Sequence, residues 1–325
     1  MLRALLPNGE MKLVELSAAD RVLPAGAVWI DMLNPTKDEE LFIEGATGIE
    51  VPTLEEMEEI ETSSRLYSEN DAIYMTATLA TGIMKENAES HSVSFVLTPA
   101  HLITVRYAET ASFDRFALHA ERSPDLCGSS ALALVNLLDA IIDRLADSIE
   151  HIGREVDAIS RQAFRRARDT GQRRVSNIAL QALLVRIGSQ QDALAKARDS
   201  AVSLSRAVGY LAFAAPKSAD IGARVKSLMR DLSSITDHAG FMATNITFLL
   251  DAALGFINIE QNAIFKILSV ASLVFLPPTL VAGIYGMNFD ILPELHWALG
   301  YPWALTMMIV SAVGPYLFIR WRGWL

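Results

Sequence analysis

The sequence contains a single cysteine, Cys127. That excludes an internal disulfide and any zinc cluster built on thiolates, and Cys127 reads as a small buried hydrophobe. An excess of cations is missing as well. There are 28 Lys and Arg against 38 Asp and Glu, a formal charge of −10, which excludes a nucleic-acid footprint. The six histidines (91, 101, 119, 151, 238 and 296) show no metal-ligand spacing. HExxH, a phosphate loop and GxSxG are all absent, so nothing in the chain reads as an enzyme. The opening stretch, MLRALLPNGEMKLVEL, lacks the apolar segment of a signal peptide and brings in acids early.

Charge is also absent where its absence is most informative. The 21 residues from Ile267 to Met287 carry none, and neither do the 23 from Trp297 to Ile319. A membrane-spanning helix needs roughly 20 apolar residues. Hydrophobic content is 51 % and mean hydropathy +0.26, high for a soluble protein. The two runs predict a membrane hairpin at 267–287 and 297–319. Lys266 precedes the first run, and Arg320 and Arg322 follow the second. The connection from Asn288 to His296 holds Asp290 and Glu294 but no Lys or Arg. The positive-inside rule then puts both termini in the cytoplasm and the 288–296 loop outside. The basic tail, 320–325, adds tryptophans suited to the interface. The reading is a multi-pass protein of the inner (plasma) membrane.

The rest of the chain divides by pattern. Residues 1–128 read as a cytoplasmic α/β domain. AVWIDML (27–33), AIYMTATLAT, SVSFVLTP and HLITVRYA are β-rich runs, and TKDEELFIEGATG and PTLEEMEEI read as helices with good N-terminal caps. Residues 129–216 read as a helical hairpin. Leu134, Leu138, Ile141, Leu145, Ile149, Ile152, Val156 and Ile159 recur at helical spacing. Asp169-Thr170-Gly171 breaks the pattern, and Pro216 ends the second helix. From 217 to 287 no proline intervenes before Pro277. A continuous helix of about 70 residues would extend roughly 105 Å at 1.5 Å per residue. The fold class is an α+β cytoplasmic domain followed by long stalk helices and a two-helix transmembrane hairpin.

Two spans in one chain cannot enclose an aqueous path, so conduction would require several chains around an axis. Asn262, Ser269, Leu276 and Gly283 are spaced by sevens, beside Asn258, Phe265, Ser272, Thr279 and Gly286. The two rows make one narrow face rich in small and hydroxyl residues. Such a face serves pore lining or helix packing in lipid, and periodicity leaves both open. Pro277-Pro278 predicts a bend, which fits a water-lined face or a packing kink equally.

The residues at the end of the first run carry a resemblance. YGMNF (285–289), LPEL (292–295), FINIEQN (256–262), FLPPTLVAGIYGMNF (275–289) and GYPWAL make 250–325 similar to the CorA family of magnesium transport proteins. WIDMLNP, EEMEEIE and SSRLY resemble its cytoplasmic domain more loosely. Its zinc-transporting branch, ZntB, usually changes the middle residue of the Gly-Met-Asn triplet, so Met287 favours the magnesium branch. The resemblance implies a funnel-shaped homopentamer in the bilayer, with first spans lining the pore and second spans outside. It implies that Asn288 binds the incoming hydrated ion and that Gly286 and Met287 shape the mouth. It places Asn262, Leu268, Leu276, Thr279 and Gly283 on the pore side, and Asp290 and Glu294 in an external acidic collar. It implies Mg²⁺ as the transported ion and also as a cytoplasmic regulatory ligand, for which Asp231 is the candidate carboxylate. The expected function is passive, potential-driven Mg²⁺ influx. Transport of Zn²⁺, Co²⁺ or Ni²⁺ on the same fold is an alternative, and a non-conducting membrane-tethered sensor is another.

Overall fold

The computed structural model describes residues 1–6, 10–13, 23–59, 61–85, 87–169, 177–214, 218–287, 297 and 299–323. The chain divides into two compact units, Met1–Arg165 with Ala182–Leu250, and Arg166–Gln181 with Asp251–Leu325.

The first unit is built on a seven-stranded sheet. Its strands are β1 (Leu2–Leu5), β2 (Met11–Leu13), β3 (Trp29–Leu33), β4 (Leu66–Glu69), β5 (Ala72–Thr81), β6 (Glu89–Leu97) and β7 (Leu102–Arg106), in the order β2-β1-β3-β7-β6-β5-β4. Among the described strands only the β3–β7 pair is parallel, with Asp31 opposite Thr104 and Leu33 opposite Arg106. The pleat sends alternate residues to opposite faces. Ile30 and Met32 go to a core with Phe42, Ile43 and Met57. Trp29 goes to the other face, where its ring lies 5.2 Å from Phe116 on α4 (Ala111–Arg122).

The first helix, α1 (Lys37–Thr47), has both ends fixed by its sequence. The Thr36 hydroxyl accepts from the Glu39 N–H, the Glu39 carboxylate accepts from the Thr36 N–H, and Gly48 closes the helix at φ 70°. Thr53 and Glu56 make the same box at α2 (Leu54–Glu58). That helix is only five residues long, because Glu59 turns out of it at ψ 142°. A short helix, α3 (Thr62–Arg65), leads into β4.

Gly82 turns the chain between β5 and β6 at φ 70°, and a Cβ there would come within 1.9 Å of the Asn87 carbonyl oxygen. Gly82→Ala should therefore lower stability by about 1–3 kcal/mol, read as a fall in thermal midpoint. An unchanged midpoint would contradict the turn geometry.

Three long helices follow: α5 (Ser130–Asp169), α6 (Asn177–Ala214) and α7 (Ala219–Tyr285). All eight apolar residues predicted to form the α5 stripe are buried. The expected helix break at Thr170-Gly171, and Pro216, lie outside the described residues. The first unit continues beyond residue 128 into these helices. The sheet, α5 as far as Arg165, α6 from Ala182 and α7 as far as Leu250 share one unit, and hydrogen bonds tie them together. Ser130 Oγ donates to the Thr98 carbonyl at 2.7 Å, the Thr78 N–H to Ser203 Oγ at 2.9 Å, and Lys196 Nζ to the Ala88 carbonyl at 2.7 Å.

The second unit contains the later part of α7 and α8 (Gly300–Trp321). Both helices are long and apolar enough to cross a membrane, and none of the most apolar window of α7 is buried. Exposed apolar surface on this scale demands a covering of lipid or protein. At the end of α8, Arg322 lies 5.7 Å over the Phe318 ring, and Trp321 is exposed. An aromatic and basic end of this kind suits a membrane interface.

Candidate functional site

The long helix α7 runs through Pro277 and Pro278 without interruption. The prolines bring no N–H to the carbonyls of Leu273 and Val274. One turn on, the Thr279 hydroxyl donates to the Phe275 carbonyl at 2.7 Å. The Thr279 oxygen keeps its lone pairs as acceptors. The helix ends at Tyr285. The Gly286 N–H still reaches the Ala282 carbonyl at 2.9 Å, while the Met287 N–H turns to Ile284 at 3.3 Å. A Cβ on Gly286 would meet the Ala282 oxygen at 3.0 Å, so a side chain there would crowd the exit.

Asn262, Leu268, Leu276, Thr279 and Gly283 are all exposed along α7. The opposite side of the helix shares a groove with α8. A groove lined by Ala263, Ile267, Val270 and Val274 of α7 faces Val313 and Tyr316 of α8. With about 100° per residue, the centres of the two residue sets are separated by roughly 170°. The second apolar helix therefore lies toward the side of Val270 and Val274, which are partly buried, while the side carrying Asn262, Thr279 and Gly283 is exposed.

Asn288, Asp290 and Glu294 lie outside the described residues, as does the predicted loop 288–296. Asp231 belongs to the other unit, so the structure does not bring it together with the α7 exit in one compact body. It lies near enough to Asp139 of α5 for their charges to interact, a proximity the sequence did not reveal. Burial raises the Asp139 pKa, the charges of Asp143 and Asp231 raise it further, and Arg224 opposes them. Among the described residues, no group of three His, Cys, Asp or Glu is placed to hold a metal ion.

Comparison with known proteins extends the geometry. A family model described as CorA-like Mg²⁺ transporter protein matches residues 24–320. The magnesium transport protein CorA of Yersinia pseudotuberculosis serotype I (strain IP32953) is 32 % identical over 320 residues, 98 % of either chain. The protein of that name from Escherichia coli (strain K12) is 32 % identical over 321 residues, again 98 % of each. Among solved structures, the complete CorA magnesium transporter of Methanocaldococcus jannaschii superposes with a TM-score of 0.75 at 18 % identity, covering 100 % of this chain and 99 % of that one. The family is one of transporters, not enzymes. By a match over most of its length and relatives at this identity, the chain belongs to the CorA-like Mg²⁺ transporter family.

Proposed function

We propose that the protein is a Mg²⁺ channel of the inner membrane, conducting passively as a homopentamer with N- and C-termini cytoplasmic. The observation that carries this reading is the open polar face of α7, opposite α8 and ending at the Gly-Met-Asn triplet. Five such faces around an axis would place Asn262 and Thr279 as oxygen stations. They would place Leu268 and Leu276 as apolar rings that close by dewetting, and Gly283 where chains approach closely. Gly286 and Met287 shape the mouth, Asn288 receives the hydrated ion, and Asp290 and Glu294 concentrate cations outside it. The driving force is the membrane potential, about 2.3 kcal/mol per charge per 100 mV, and so about 4.6 kcal/mol for a divalent ion.

Flux measurement on the purified protein in liposomes tests this. With a negative interior, Mg²⁺ should enter at a rate that rises with the potential. Particles should have the mass of five 35.6 kDa chains. Zn²⁺, Co²⁺ and Ni²⁺ should compete without outrunning Mg²⁺, because the face offers oxygen and no nitrogen or thiolate ligands, which softer metals favour. Faster Zn²⁺ entry would establish the zinc alternative. Absence of flux from intact pentamers would leave the non-conducting sensor.

Regulation by cytoplasmic Mg²⁺ requires carboxylates from two subunits. One chain alone offers Asp231 near Asp139 but no complete ligand group among its described residues. A second subunit supplying further oxygens would complete a site whose like charges otherwise repel.

A further inference from the structure

Inside the first unit lies a cavity of about 190 Å³ that the conduction reading does not use. It is partly open and bounded by the end of β5 and the turn after it, the start of α4, one side of α5 and Ser200 of α6. Thr110 lines it and is the N-cap of the twelve-residue α4, yet its side chain makes no capping bond. Thr110 is 4 % exposed, and its hydroxyl has no hydrogen-bond partner among the described residues. The positive end of α4 is thus left without an oxygen acceptor from its own cap. Ser112 and Ser200, both buried, add hydroxyls to the wall.

Two cations complete the lining. Arg144 of α5 is half-buried, and Lys85 sits on the exposed turn. Neither forms an ion pair among the described residues. Among the described residues, one carboxylate, that of the exposed Glu109, shares the rim and leaves an excess of one positive charge in addition to the helix end. Size narrows the ligand. The cavity corresponds to the liquid volume of about six water molecules. It lies well below the roughly 300–1,000 Å³ of pockets for drug-sized molecules.

We propose that this cavity binds a small tetrahedral oxyanion of the inorganic phosphate class. The Arg144 guanidinium, Lys85 ammonium and first amides of α4 are the donors. Arg is suited to the task because its fork meets two oxygens at once. A bound anion would join the sheet to α5 and α6. This proposal is independent of the transported ion.

The test is calorimetric titration of inorganic phosphate into the full-length protein in nanodiscs without Mg²⁺, with glycerol phosphate as a second arm. The expected result is saturable binding of phosphate, one ion per chain. Arg144→Gln should weaken it by about tenfold or more, and Lys85→Gln by a smaller factor. Lys85 is exposed, so its variant reports even if Arg144→Gln fails to fold. Binding of phosphate alone, or of both ligands, supports the site. Failure of millimolar phosphate to bind, binding of glycerol phosphate only, or binding unchanged in both variants would overturn it.

Discussion

Asp31→Asn should cost the first unit about 3–5 kcal/mol, the loss expected when one partner of a buried ion pair is removed. Asp31 is fully buried at the centre of β3. Its Oδ1 accepts from Arg106 Nε at 2.9 Å and from the Thr104 hydroxyl at 2.9 Å. Its Oδ2 accepts from Arg106 Nη2 at 2.8 Å and from Arg3 Nη2 at 2.7 Å. Three neighbouring strands, β1, β3 and β7, thus converge on one carboxylate. Arg106 is also fully buried and lies 4.7 Å over the Phe113 ring. The amide of Asn would leave that guanidinium with no charge to balance it in a dry site.

The same carboxylate predicts acid sensitivity. Burial alone would raise the Asp31 pKa, but the hydrogen bonds and charge of Arg106, then of Arg3, hold it below the ordinary value. A folded pKa below the unfolded one, about 3.9, means that the stabilisation is complete above that pH. It is lost as pH falls through the folded pKa. Denaturation of the wild type should therefore steepen below about pH 4, whereas Asp31→Asn should be weaker at neutral pH and flatter in acid. A variant as stable as wild type at pH 7, or one with the same acid limb, would show that the cluster contributes little.

Legibility in the sequence followed the range of the interactions. The α5 stripe, the caps of α1 and the two uncharged runs are local patterns set by spacing of a few residues, and the residues concerned are buried, capped or helical as that spacing requires. The sheet order is not local. β3 pairs with β7 across about 70 residues of chain, and β1 and β2 at the N-terminus are too short to stand out from a mixed stretch. Asp31 was visible only as an acid inside the β-rich run AVWIDML. That interruption was a signal of a buried partner, but nothing nearby identified Arg106. The α7 face was legible as a pattern and ambiguous as a role. It took the position of α8 to separate one side of the helix from the other. Asp139 was hidden as a source of repulsion near Asp231 because α5 and α7 are distant in sequence.

Asn288→Ala should reduce Mg²⁺ entry into liposomes to the level of protein-free vesicles while leaving pentamer mass and insertion unchanged. The argument is one of ligand strength. Mg²⁺ holds its octahedral water shell tightly and sheds it reluctantly. A neutral amide can hydrogen-bond to that shell and release it again, and conduction needs entry and exit alike. Alanine offers no such contact, so a hydrated ion arriving at the mouth would gain nothing to offset its confinement. Asn288→Asp is the informative companion. A ring of carboxylates should still attract Mg²⁺ but retain it, so flux should fall while equilibrium binding tightens. The two variants separate recognition from simple attraction, because Asp290 and Glu294 remain present in both. Wild-type flux in Asn288→Ala would remove Asn288 from the conduction path. Faster flux in Asn288→Asp would show that charge, rather than hydrogen bonding to bound water, limits entry.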